Sequence, residues 1–455
     1  MSAAIAWIED LPGIPPERSF YACTERHHAL AVLVPFSIAL PWDKNPAPLL
    51  ALFRVNDAGG WASLSILHDT ADHRAVLLAQ ADDAGLCQWL AINGIGWFDA
   101  ASPLSLVPVH IPKPWGEEIW FTGIESRGVS CALPISGQAI PLTWLLSAMP
   151  EYLLGQHAGD WPVLLKILSP LPDAGFGDLY LELHEEKREV YIITGVDRAA
   201  WPDGVGKIRL GVNPDAVAEH GDEQRFRDAF AAAAQAYEVH RHEVDAWLDQ
   251  RRASDGLPAN EPVSPVWLRS QLAAQPAEWR EREDSLREAL DSFTSLKPLR
   301  VGDVVQVPLR VPHSLQHGVR AVEFQTPVYE RKILAFGQKV LTQPHWDSRD
   351  GADLMLLKAA IEPALPVLEQ SPGLQVEQVA RFDDFSVQRV SVGAGHVRTG
   401  EPGSYRVLMG LSGRLGAGIA RLSPEQAWFW PAALPFCVEV AQSAENTVFL
   451  EAIPA

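Results

Sequence analysis

Short apolar runs set the rhythm of the first hundred residues: HHALAVLVPFSIAL, APLLALFRV and HRAVLLAQA follow one another, punctuated by Pro, Asn-Asp and Gly-Gly. That pattern predicts strands joined by turns, and so a small β-rich domain over 1–105. From 106 to about 209 the pattern gives one helix, PLTWLLSAMPEYLL, and then strands through WPVLLKILSP and LYLELHEEKREVYIITG. Between about 213 and 293 the period changes. Apolar residues recur at three- and four-residue spacing in two Ala-, Glu- and Arg-rich stretches, separated by ASDGLPANEPVSP, which predicts two helices. Strands return at 299–341, and 370–455 repeats the strand-and-turn rhythm. The expected architecture is therefore mainly β with a helical insertion, divided into 1–105, 106–340 and 341–455.

Composition narrows the partners. A chain of 455 residues with 47% hydrophobic residues has material for more than one packed core. Its formal net charge of −20 opposes long-range attraction to nucleic acid or an anionic membrane, while leaving room for a small anion held by a local basic cluster. Cys23, Cys87, Cys131 and Cys437 are widely spaced, which suggests neither a disulfide framework nor a zinc knuckle and fits a reducing cytoplasm. No stretch reaches the roughly 20 apolar residues of a spanning helix.

Chemistry concentrates in LYLELHEEKREVYIITG. Alternation along a strand puts Glu182 and His184 on one face and Leu181 and Leu183 on the other. If HEEKR turns the chain, the returning strand brings Glu189 beside them. Two carboxylates and an imidazole suit Zn²⁺, Fe²⁺, Mn²⁺ or Ni²⁺. His240 and His242 also form an HxH, but two residues apart on a helix they point to different sides and are expected on a solvated face. Trp115 is expected in the core.

These residues resemble the first motif of the cupin superfamily: Gly177, Glu182, His184, Glu189 and Gly195 occupy its places. GDVVQVPLRVPHSLQH resembles the second, with Gly302, Pro308 and His313 in register, Arg310 where the motif has Gly, and His317 where Asn is frequent. The likeness narrows to the type I mannose-6-phosphate isomerases. It is carried by WPVLLKILSP, by Lys187 two residues before Glu189, by the His313-to-Glu323 spacing, by LTWLLSAMPEYLLGQ and by RFDDFSVQRVSV, and it spans roughly 106–455. Two departures stand out: Glu182 replaces the family's Gln, and only four residues separate His184 from Glu189.

The resemblance implies cupin (double-stranded β-helix, or jelly-roll) domains and one divalent metal ion, zinc foremost, on Glu182, His184, Glu189 and His313. It implies an aldose-ketose isomerase converting mannose 6-phosphate to fructose 6-phosphate, with a small-molecule sugar phosphate as partner. Arg331, Lys166 and His317 are then the candidate catalytic groups, and Arg310 and Lys332 the candidate phosphate holders. Another metal-dependent cupin enzyme and a non-catalytic sugar-binding cupin stand as alternatives.

Overall fold

The structure, a computed structural model, describes residues 5–9, 11–358, 364–442 and 446–455. Contacts group the chain into two units: 1–109 with 120–165 and 365–455, and 110–119 with 166–364. This differs from the three consecutive stretches expected from sequence. The reason is a pairing across distant sequence, in which Leu104–Val107 lies beside Ala427–Trp430 through Ser105 opposite Trp428.

In the first unit, residues 5–99 form a five-stranded sheet whose first pair is parallel and whose other pairs are antiparallel. HRAVLLAQA, expected as a strand, instead contributes to the helix Ala71–Leu78, nucleated where Thr70 accepts a hydrogen bond from the His73 amide. The single helix expected at 141–154 is two, Leu142–Ala148 and Pro150–Leu154, because Pro150 starts a new one at its first position. The C-terminal part pairs a nine-stranded with a four-stranded sheet, and Trp428, Phe436, Val438 and Phe449 share the core between them.

The second unit carries the predicted chemistry. Its strands are β1 (Val109–Lys113), β2 (Gly116–Trp120), β3 (Leu164–Pro170), β4 (Leu181–Leu183), β5 (Glu189–Val196) and β6 (Gly206–Val212). After the helical insertion come β7 (Thr294–Leu299), β8 (Val304–Val307), β9 (His313–Leu315), β10 (Val319–Gln325) and β11 (Lys332–Ala335). One sheet runs β8-β5-β10-β3-β2-β1 and the other β7-β6-β9-β4-β11. Their inner faces meet in one core containing Tyr191, Ile193 and Val305 from the first and Leu210, Leu315 and Ile333 from the second. Alternation explains this, since each strand sends every second side chain inward. The mainly β, cupin-type fold with a helical insertion is as expected, and Trp115 is core at 1% exposure.

The insertion holds α1 (Pro214–His220), α2 (Glu223–Ser254), α3 (Pro265–Ala273) and α4 (Ala277–Asp291). The second expected helix is split at Pro276, which cannot donate the amide hydrogen bond that continuation needs. Asp222 caps α2 by accepting from the Arg225 amide, and Phe226, Phe230, Ala234, Tyr237, Val244 and Leu248 form its buried stripe. His240 also lies on that buried side, fully enclosed against Trp279, which corrects the solvated placement expected from the HxH spacing; His242 is exposed. No helix among the described residues is long and apolar enough to cross a membrane.

Candidate metal centre

Register decides what meets in the core. On the second sheet Glu182 sits directly opposite His313, and His184 follows immediately after β4. On the facing sheet Glu189 opens β5 between Val307 and Gln325. The tight segment between them is held from outside: the Glu330 carboxylate accepts the amides of Glu185, Glu186 and Lys187 at 2.9, 3.2 and 3.5 Å, and Thr326 Oγ1 accepts that of Arg188.

One ligand atom each from Glu182, His184 and His313 lies within 4.8 Å of the others. Glu189 joins them, with its carboxylate oxygens 3.4 Å from His184 Nε2 and 3.4 Å from His313 Nε2. His184, Glu189 and His313 are all at least 98% buried. Yet among the described residues nothing hydrogen-bonds His184 Nδ1 or Nε2, His313 Nε2 or Glu182 Oε2. Buried polar atoms left this way each cost about 1–3 kcal/mol. His313 shows what is missing. Its Nδ1 donates to the Val311 carbonyl at 3.1 Å, so in the neutral ring Nε2 carries a bare lone pair facing the Glu189 carboxylate. Only a proton or a metal ion between them turns that repulsion into attraction.

The electrostatics prepare ligands. Burial works to raise the Glu189 pKa, but Lys187 Nζ at 2.7 Å and the two histidines hold it well below the usual carboxylate range. Burial likewise opposes ionisation of Glu182, and Arg331 at 3.5 Å, helped by His184, outweighs it. Burial pushes His184 down against the pull of Glu189. Two ionised carboxylates and a neutral His184 are protonation states that suit a divalent ion. The donor set therefore fits such an ion.

Arg331 is brought into the group, its guanidinium lying over Tyr180 at 4.5 Å beside Glu182. Lys166 is buried on β3, with Nζ 3.2 Å from Glu323 and 3.9 Å from Glu118; burial favours its neutral form, but those carboxylates raise its pKa and keep it charged. Other expected residues face elsewhere. The Arg310 side chain is exposed, and what ties it here is backbone: its amide donates to the His184 carbonyl at 2.7 Å. Its φ of 62° is the left-handed conformation for which the motif uses Gly. Lys332 turns to Asp350 at 3.9 Å. His317 is bound by Asp178 at 2.6 Å and stacked on Trp201 at 4.6 Å.

Sequence reasoning missed Tyr191, whose hydroxyl donates to Glu189 Oε2 at 2.7 Å, and Glu330. Alternation could have found Tyr191, since it is two residues from Glu189 on one strand face. Glu330 acts across 145 residues of sequence, which no local pattern signals.

Comparison with solved structures gives the fold a counterpart. Mannose 6-phosphate isomerase from Bacillus subtilis matches over 77% of this chain and 99% of its own, at TM-score 0.50 and 14% identity. The fold is that of the phosphomannose isomerases. A variant phosphomannose isomerase from Salmonella typhimurium matches at TM-score 0.52 and 15% identity, over 78% of this chain and 99% of its own. A mannose 6-phosphate isomerase bound with zinc and yttrium matches at TM-score 0.51 and 14% identity, over 78% of this chain and the whole of its own. No protein-family model and no curated protein sequence matches the chain.

Proposed function

We propose that this protein is a metal-dependent sugar-phosphate isomerase acting on mannose 6-phosphate in the cytoplasm. The observation that carries the reading is the set of buried, unpartnered atoms on His184, His313 and Glu182 around an ionised Glu189. In this reading Glu182, His184, Glu189 and His313 hold one divalent ion, zinc foremost, as a neighbour of this fold binds zinc. Such an ion would polarise the sugar carbonyl as a Lewis acid.

The chain's own groups do the rest. Tyr191 and Lys187 fix the Glu189 carboxylate and keep it ionised. Arg331, always charged and held beside Glu182, offsets negative charge as the substrate becomes an enediolate. Lys166, kept protonated by Glu323 and Glu118, is the buried group assigned to hold a proton near the substrate. Arg310, whose exposed side chain is tied here only through its backbone amide, and Lys332, turned to Asp350, face away from this group, so neither is assigned to the phosphate. His317, engaged by Asp178 and Trp201, shapes a neighbouring loop instead of moving the proton.

A coupled assay for fructose 6-phosphate formed from mannose 6-phosphate tests the reading, with Glu189→Ala as control. Turnover by the metal-loaded protein that the control lacks is the expected result. Metal-loaded protein without turnover rejects it and favours the second reading, a different metal-dependent cupin enzyme. The four-residue segment between His184 and Glu189, which leaves little chain to enclose a sugar phosphate, is the observation behind that second reading.

A further inference from the structure

A cavity of about 190 Å³ lies in the helical insertion, bounded by α2, α3 and α4 and by 174–176 and 337–339. It is separate from the metal centre. Along the β4/β11 pair, Leu183 faces Lys332 and Glu182 faces Ile333 at the metal end, whereas Leu181 faces Ala335 at the other end, toward Phe176 and Gly337.

The cavity wall is built, and its charges are matched. Arg241 bonds Glu283 at 2.8 Å and Asp245 at 2.8 Å. Lys339 bonds Asp249 at 2.8 Å, and Arg252 Nη1 donates to the carbonyls of Pro258, Ala259 and Glu261 at 3.0–3.3 Å. After these bonds, specific atoms are left over. Arg241 Nε, Arg252 Nε and Gln275 Nε2 have no acceptor among the described residues, and Asp249 Oδ1 has no donor. Arg241, Arg252 and Gln275 are 2%, 6% and 5% exposed, so bulk water does not serve them. Arg252 Nε and Asp249 Oδ1 stand 3.9 Å apart, too far to bond directly and suited to a bridging hydroxyl.

We propose that this cavity binds a small uncharged polyhydroxyl compound of about one sugar ring. Hydroxyls both accept and donate, which answers three spare donors and one spare acceptor. An anion there would face Asp245, Asp249 and Glu283, and a cation would face Arg241, Arg252 and Lys339. Leu248, Leu268 and Phe176 supply an apolar wall for the C–H face of a ring. The volume of about 190 Å³ corresponds to about six waters' share of liquid, room for one such ring.

The test is saturation-transfer NMR and calorimetric titration with D-mannose and with myo-inositol, using full-length protein and the Glu189→Ala variant. That variant separates this cavity from the metal centre, whatever the latter's activity. Expected is saturable binding of at least one probe, kept in Glu189→Ala and weakened about tenfold or more by Gln275→Leu or by the cavity-filling Leu272→Trp. Circular dichroism checks that both variants keep their helices, and a variant that loses them is replaced by Leu268→Phe. No saturable binding up to tens of millimolar, loss of binding in Glu189→Ala, or binding that none of the cavity variants weakens overturns the proposal and leaves the cavity to water.

Discussion

Each unit buries a carboxylate between β-sheets, and the two are treated in opposite ways. In the C-terminal part of the first unit, Glu451 is fully buried, and each of its oxygens takes a hydrogen bond from a guanidinium, Arg398 on one side and Arg406 on the other. Those guanidiniums lie against the Phe436 ring, and no atom of the Glu451 carboxylate is left over. In the second unit, Glu182 and Glu189 share their core with two imidazoles, three of whose four ring nitrogens are left over. One group is complete in itself and serves the fold. The other is complete only with an additional positive centre, so its incompleteness points to function.

The contrast breaks or sharpens under four substitutions. Glu451→Ala leaves two guanidiniums uncompensated and is expected to cost about 3–5 kcal/mol in denaturant unfolding, with bound metal unchanged. His313→Leu in metal-free protein is expected to cost only about 1 kcal/mol, the loss of the one neutral hydrogen bond from Nδ1 to the Val311 carbonyl, since Nε2 had no partner to lose. Equal costs for the two would erase the distinction. Tyr191→Phe removes one hydrogen bond from Glu189 and is expected to weaken metal affinity about 10- to 100-fold in a chelator competition, with stability little changed. The smallest effect is at Arg310, where Gly adopts the left-handed backbone freely: Arg310→Gly is expected to raise stability by about 1 kcal/mol in thermal unfolding without changing metal affinity.

What the sequence disclosed follows the range of the interactions. Glu182, His184 and Glu189 were legible because a strand's two-residue period and one short turn place them, and His313 because spacing from Pro308 and to Glu323 marks it. Arg310 and Lys332 were less so. The left-handed backbone turns Arg310 outward, and Lys332, next to Arg331, points to the other side of its strand, toward Asp350. The partners of His317 come from Asp178 and Trp201, too remote in sequence to anticipate. Helices were misjudged where one residue decides the outcome: Thr70 as a cap, Pro150 as a start and Pro276 as a break. The two-unit division depends on Leu104–Val107 pairing with Ala427–Trp430, which local hydrophobic pattern does not encode.

Metal content by mass spectrometry, on protein purified from zinc- and manganese-supplemented growth, tests the central claim most directly. The account predicts close to one divalent ion per chain, and nearly none in His184→Ala and Glu189→Ala proteins that keep the far-ultraviolet circular dichroism of the parent. A parent protein without metal, or variants that retain as much as the parent, would contradict it.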